Sequence, residues 1–175
     1  MRPTKISSRK IVEIHLDTLS FPDSGNQTHY ISFKSPESVA ILPILDGNKI
    51  LMVKQFRYAI SEYSWEIPAG GINPDESPVQ AAVRELLEET SYKANQIHHI
   101  LSFYPSNSIS NERMHIYYAD GLIKQDNFAH HGEPLEEGIE VKAFAQEELR
   151  EMLDNRVVTD AATLIAIQYF FLSKR

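Results

Sequence analysis

Between Gly70 and Tyr92 the chain reads GGINPDESPVQAAVRELLEETSY, which restricts the local fold to a loop running into one helix. Ser77 can cap that helix, Pro78 suits its first position, and Gln80 can close a capping box. Ala81, Ala82, Leu86 and Leu87 then favour helix, so one is predicted over about 78–90. On it Glu85 and Glu89 are four apart and Glu88 is three from Glu85, which crowds three carboxylates onto one side. Like charges at that spacing destabilise a helix. A divalent cation would turn the repulsion into coordination, and an all-oxygen ligand set suits Mg²⁺ or Mn²⁺, which keep waters and bind few carboxylates plus substrate phosphates. Arg84, four before Glu88, is placed to orient a carboxylate by an ion pair. A bare Glu-x-x-Glu-Glu run also describes a solvated helix face. The fixed spacing back to Gly70 and Glu76 separates the two readings.

The bulk properties narrow the class. At 175 residues, with 42% hydrophobic and 23% charged residues, the chain fits one globular domain with a proper core. No apolar run reaches the length of a membrane span, since Gln168 breaks the stretch from Leu164 to Leu172. Residues Met1 to Lys10 are basic, yet no apolar signal region follows, so no secretion is expected. The absence of cysteine excludes disulfides and thiolate metal sites and agrees with a cytoplasmic location. A formal charge of −7 argues against a dedicated nucleic-acid binder, which needs clustered Lys and Arg. A small anionic substrate remains compatible if metal supplies the positive charge.

Hydrophobic alternation organises the rest. Lys10 to Leu19 and Thr28 to Phe33 read as a hairpin across Pro22–Asn26, an N-terminal antiparallel β appendage occupying residues 1–37. Ser38 to Leu45 and Lys49 to Arg57 flank Asp46-Gly47-Asn48, a strong hairpin signal. Further strands are expected at Ser64 to Ile67, Ile97 to Tyr104, Arg113 to Ala119 and Gly138 to Ala145. Two helices close the chain. One covers about Gln146 to Asp154, and the other takes Thr159-Asp160 as cap and first turn and runs to about Ser173, with Leu164, Ile167 and Phe171 on one face. The expected class is α+β, a mixed sheet in an α/β/α sandwich over residues 38–175.

Gly70, Glu76 and Arg84-Glu85-x-x-Glu88-Glu89 together match G-x5-E-x7-R-E-U-x-E-E-x-G-U, with U aliphatic, apart from Ser91 in place of the second glycine. In this the chain resembles the Nudix hydrolase family. Four more segments resemble its ADP-ribose pyrophosphatase branch: Gln55-Phe56-Arg57, Trp65 to Gly71, Phe103 to Arg113, and Asp160 to Ala166. The resemblance implies a Nudix fold and Mg²⁺- or Mn²⁺-dependent cleavage of ADP-ribose, or a related nucleoside diphosphate sugar, into AMP and ribose 5-phosphate. It implies metal ligation by the Ala69 carbonyl, Glu85, Glu88 and Glu89, with Glu76 more peripheral and Arg84 orienting. Substrate contacts fall to Arg57 on phosphate, Glu112 near the terminal ribose, and Tyr104 and Ser110. The catalytic base comes from the acidic loop, Glu137 first, then Glu136, with Glu133 also eligible. Members of the branch are usually homodimers whose N-terminal strands build the partner's nucleotide site, where Tyr30 or Phe33 could stack on adenine.

Two departures qualify the match. Ser91 occupies a left-handed position that is cheap only for glycine, at a cost of about 1 kcal/mol or a shifted helix end. Ser106-Asn107 replaces the branch's Pro-Gly in the substrate loop, which leaves open other nucleoside diphosphate derivatives, such as GDP-mannose or a dinucleoside polyphosphate. A non-catalytic ADP-ribose-binding module is the alternative of another class, disfavoured by retention of a repulsive carboxylate cluster. The adjacent pairs His98-His99 and His130-His131 point to opposite sides if extended, and His15, His29 and His115 stand isolated on presumed strands, so no histidine metal site is expected.

Overall fold

The computed structural model describes residues 12–46, 49–126 and 139–173. Strands β1 (Glu13–Ser20) and β2 (Gln27–Lys34) pair antiparallel as a separate two-stranded sheet. The central seven-stranded sheet contains β3 (Ser38–Leu45), β4 (Lys49–Arg57), β5 (Glu62–Glu66), β6 (Ala69–Gly71), β8 (Gln96–Phe103), β9 (Met114–Asp120) and β11 (Glu140–Phe144). Its main path runs β11-β4-β3-β9-β8, with β5 beside β4 and β6 beside β3. Only the β3/β9 pair among these is parallel, which makes the sheet mixed. Short strands β7 (Tyr92–Lys93) and β10 (Ile123–Lys124) form a second two-stranded pair.

The alternation of β3 builds a core on each face of the sheet, because successive side chains point to opposite sides. Ala40, Leu42 and Ile44 join Leu149 of helix α2 (Gln146–Asp154) and Ala162, Ala166, Ile167 and Phe170 of helix α3 (Ala161–Ser173). Val39 and Ile41 face the other way, against Ala81, Ala82 and Leu86 of helix α1 (Pro78–Thr90). This is the expected α/β/α sandwich. Full burial of Leu86, 1% exposed, contributes roughly 1.5–3 kcal/mol and seats the carboxylate helix on the sheet.

The structure amends several expected elements. Strands β6, β7 and β10 carry no sequence signal, being too short to show a period. Asp160 alone caps α3, its Oδ2 accepting from Thr163 N at 2.8 Å, so the first turn begins one residue later than expected. The buried face of α3 centres on Thr163, Ala166, Ile167 and Phe170, while Leu164 and Phe171 sit at its margin. The Gly47-Asn48 half of the expected turn, Lys10 and Gly138 lie outside the described residues. Among the described residues no helix is long and apolar enough to cross a membrane.

Candidate active site

Helix α1 starts as its sequence dictates. Ser77 N–H donates to Gln80 Oε1 at 2.8 Å and Gln80 N–H donates to Ser77 Oγ at 3.4 Å, completing the capping box. At the other end Ser91 adopts φ 61°, the left-handed cap, and its N–H donates to Leu87 O at 2.9 Å. The helix end is not shifted, so Ser91 itself bears the strain. Along the helix Arg84 gathers the acidic groups. Its Nε and Nη2 donate to the two oxygens of Glu76, each at 2.8 Å, and its Nη1 donates to Glu85 at 2.7 Å and Glu88 at 3.0 Å. Nη2 also donates to Gly71 O at 2.9 Å, tying helix to loop. Hydrogen bonding to Glu76, with the charge of Glu85 adding, holds the Arg84 guanidinium above its usual pKa, while Arg84 holds Glu76 below the usual carboxylate range.

Glu89 accepts from Ala69 N–H at 3.0 Å, whereas Glu85 and Glu88 accept from Arg84. Sharing separate donors relieves the repulsion that their spacing creates. Glu85 and Glu89 are buried, and Gly70 is what lets Glu85 in: a Cβ there would lie 1.9 Å from Glu85 Oε1. On the preceding strand Glu66, 4% exposed, accepts from Arg57 Nε at 2.9 Å and from its Nη2. Hydrogen bonding to Glu66 is the main cause that raises the Arg57 pKa, and the charges of Glu66, Glu89 and Asp160 add to it. Arg57, placed on phosphate by resemblance, thus stands within the field of Glu89 on the helix.

The loop between β8 and β9 carries the other expected contacts. Ser110 Oγ accepts from Glu112 N–H at 3.1 Å, and Ser38 Oγ donates to Glu112 Oε1 at 2.7 Å. Strand β2 pins this loop: Phe33 N–H donates to Ile109 O at 2.7 Å, Asn111 N–H donates to Phe33 O at 3.2 Å, and the Tyr30 hydroxyl donates to Ser108 O. Between hairpin and loop lies a cavity of about 550 Å³ lined by Tyr30, Lys34, Tyr104 and Ser110 among others. None of the helix carboxylates lines it. On the paired strands β8 and β9, His99 and His115 come together. Ser102 Oγ lies 2.9 Å from His99 Nε2 and 2.8 Å from His115 Nδ1, and His115 Nε2 lies 2.8 Å from Glu37. His115 is therefore not isolated, because strand pairing places it directly across from Ser102.

Residues 34–165 match the NUDIX domain. The chain is 34% identical over 170 residues to the ADP-ribose pyrophosphatase of Bacillus subtilis (strain 168), covering 97% of this chain and 90% of that protein. The chain belongs to the Nudix family. It is also 32% identical over 174 residues to the methanol dehydrogenase activator of Bacillus methanolicus, covering 99% of this chain and 92% of the relative. The solved structure of an ADP compounds hydrolase superposes with a TM-score of 0.78 at 22% identity, over 97% of this chain and 88% of the other, which bears on the fold.

Within this Nudix chain the fit to a divalent cation rests on donor chemistry. Glu85, Glu88 and Glu89 offer oxygen ligands on one helix, and side-chain-free Gly70 leaves room for the carboxylate beside the loop backbone. Among the described residues no three His, Cys, Asp or Glu side chains already converge as a metal site, consistent with Arg84 lying between Glu85 and Glu88. Sequence reasoning overlooked Glu66, Ser38 and Thr163. Glu66 and Thr163 carried a signal, since they fall within the segments Trp65 to Gly71 and Asp160 to Ala166 that bear the resemblance, and Ser38 carried none. Glu133, Glu136 and Glu137, with His130 and His131, lie outside the described residues.

Proposed function

We propose that this Nudix chain hydrolyses the diphosphate bond of ADP-ribose, or of a related nucleoside diphosphate sugar, giving AMP and ribose 5-phosphate. The observation that carries the reading is the carboxylate helix seated against Gly70 and Ala69, in a chain 34% identical to an ADP-ribose pyrophosphatase over nearly its full length. Glu85, Glu88 and Glu89, with the Ala69 carbonyl, would hold Mg²⁺, or Mn²⁺ in its place. The cation supplies neutralisation and polarisation of the phosphoryl group and a lowered pKa for water. Arg84 keeps Glu85 and Glu88 oriented, and its bidentate grip on Glu76 anchors the loop. Arg57, braced by Glu66, binds substrate phosphate, while Glu112, Tyr104 and Ser110 receive the sugar side. A carboxylate of the acidic loop takes the proton from water, Glu137 first and Glu136 or Glu133 behind it.

The site is completed in a homodimer, with residues 1–37 as the appendage and residues 38–175 as the hydrolase domain. Ile14, Leu16 and Ile31 share one face of the β1/β2 hairpin and are 70%, 68% and 52% exposed, an apolar surface suited to a partner. A cysteine-free chain of this kind fits a cytoplasmic enzyme. Exchange of Glu89→Gln tests the core of the reading: kcat should fall about 100-fold or more with the fold intact, since a metal ligand is lost. Near wild-type turnover in that variant would remove Glu89 from the site.

A further inference from the structure

Thr163 is 0% exposed in α3, yet its hydroxyl is engaged twice. It accepts from Ile67 N–H at 3.0 Å and donates to Asp160 Oδ2 at 2.7 Å. The direction is fixed by chemistry, because an amide N–H only donates and an ionised carboxylate only accepts. Asp160 Oδ2 also accepts from Thr163 N–H, so the helix cap and the relay share one oxygen. Ile67 is 1% exposed, which leaves its N–H no water to turn to.

The four residues 66–69 carry a part of the site at each end. Glu66 braces Arg57, and Ala69 N–H donates to Glu89 at 3.0 Å. Between them Pro68 has no N–H and its carbonyl accepts from Ile41 N–H at 2.8 Å. Ile67 therefore owns the one backbone donor between the two ends, and Thr163 takes it. We infer that Thr163, oriented by Asp160, is a positioning residue: it fixes segment 66–69 so that Arg57 and Glu89 keep their separation across the diphosphate. The inference rests on the hydrolase reading above.

The test compares Thr163→Val, which keeps shape and deletes the hydroxyl, with Thr163→Ser, which restores it. Each full-length protein is checked for folding by thermal melt, titrated with Mn²⁺ alone by electron paramagnetic resonance, and assayed for kcat and KM on ADP-ribose. While fully folded, the valine variant should bind Mn²⁺ about 10-fold more weakly and lose about 10–100-fold in kcat, with serine within about threefold of wild type. Wild-type Mn²⁺ affinity and kcat in folded Thr163→Val, or equal impairment in the serine variant, would overturn the inference. Should the valine variant not fold, Asp160→Gly decides, because glycine is tolerated at a helix N-cap but removes the oxygen that orients the hydroxyl. It too should weaken Mn²⁺ binding, and unchanged affinity and kcat would overturn the proposal. If wild-type protein releases no AMP the hydrolase reading fails, whereas the Mn²⁺ titrations still judge the positioning role.

Discussion

A single methyl group at Gly70 would reshape the carboxylate site, since it would fall 1.9 Å from Glu85 Oε1. The clashing atoms are the far end of a flexible side chain, so Glu85 would swing aside while the backbone stays. Gly70→Ala is accordingly expected to melt within about 1 kcal/mol of wild type and yet lose most Mn²⁺ affinity, read by titration. At Ser91 the expectation runs the other way. Its φ of 61° is one a side chain resists, so Ser91→Gly should raise stability by about 1 kcal/mol in urea unfolding, with activity unchanged. Both positions were legible by spacing alone. The reasons were only half legible: the left-handed turn at Ser91 follows from its place after a helix, whereas the approach of Glu85 to Gly70 is a tertiary contact. The prominence of Glu76 was hidden for the same reason, as it lies before the helix cap, eight positions ahead of the guanidinium that holds both its oxygens.

Helix α1 and its loop behave as one charged element, and their stability should carry a pH signature. Hydrogen bonds from Arg84 hold the Glu76 carboxyl below its ordinary value of 4.5. A depressed acid stabilises the fold above its unfolded pKa, and that contribution fades as pH falls from about 4.5 towards the depressed value. The stability gap between wild type and Glu76→Gln should thus be full at neutral pH and narrow below about 4.5, measured by urea unfolding at stepped pH. A gap constant throughout would mean that Arg84 does not perturb Glu76. Strands β3 and β4 could be read from the chain as apolar runs on either side of an Asp-Gly turn, and α1 from its capping box. The phase of α3 could not. Its sequence AATLIAIQYFFLS is apolar nearly all round, so packing rather than pattern selects Phe170 over Phe171. Strands β6, β7 and β10 are likewise made by their partners.

At the scale of the molecule, the hairpin links site and surface. Its Tyr30 face pins the loop bearing Ser110, and its opposite face presents Ile14, Leu16 and Ile31. If that apolar face joins two copies, Leu16→Asp with Ile31→Asp should shift sedimentation from dimer to monomer and lower turnover, since a charge is depleted from interface cores. A wild-type chain that sediments as a monomer would refute the homodimer. The two-layered core and the hairpin were legible in the sequence, the first from the unbroken apolar run of β3, which has a helix on each side, and the second from apolar alternation across a turn. The pinning of β2 to residues 109–111 was not, as no local pattern encodes a contact between such distant segments. Hydrolysis itself is read by incubating the purified chain with ADP-ribose and Mg²⁺ and resolving the products by ³¹P NMR. AMP and ribose 5-phosphate should appear in equal amounts, and a chelator should abolish both. Binding of ADP-ribose with no AMP formed in either Mg²⁺ or Mn²⁺ would contradict the hydrolase reading.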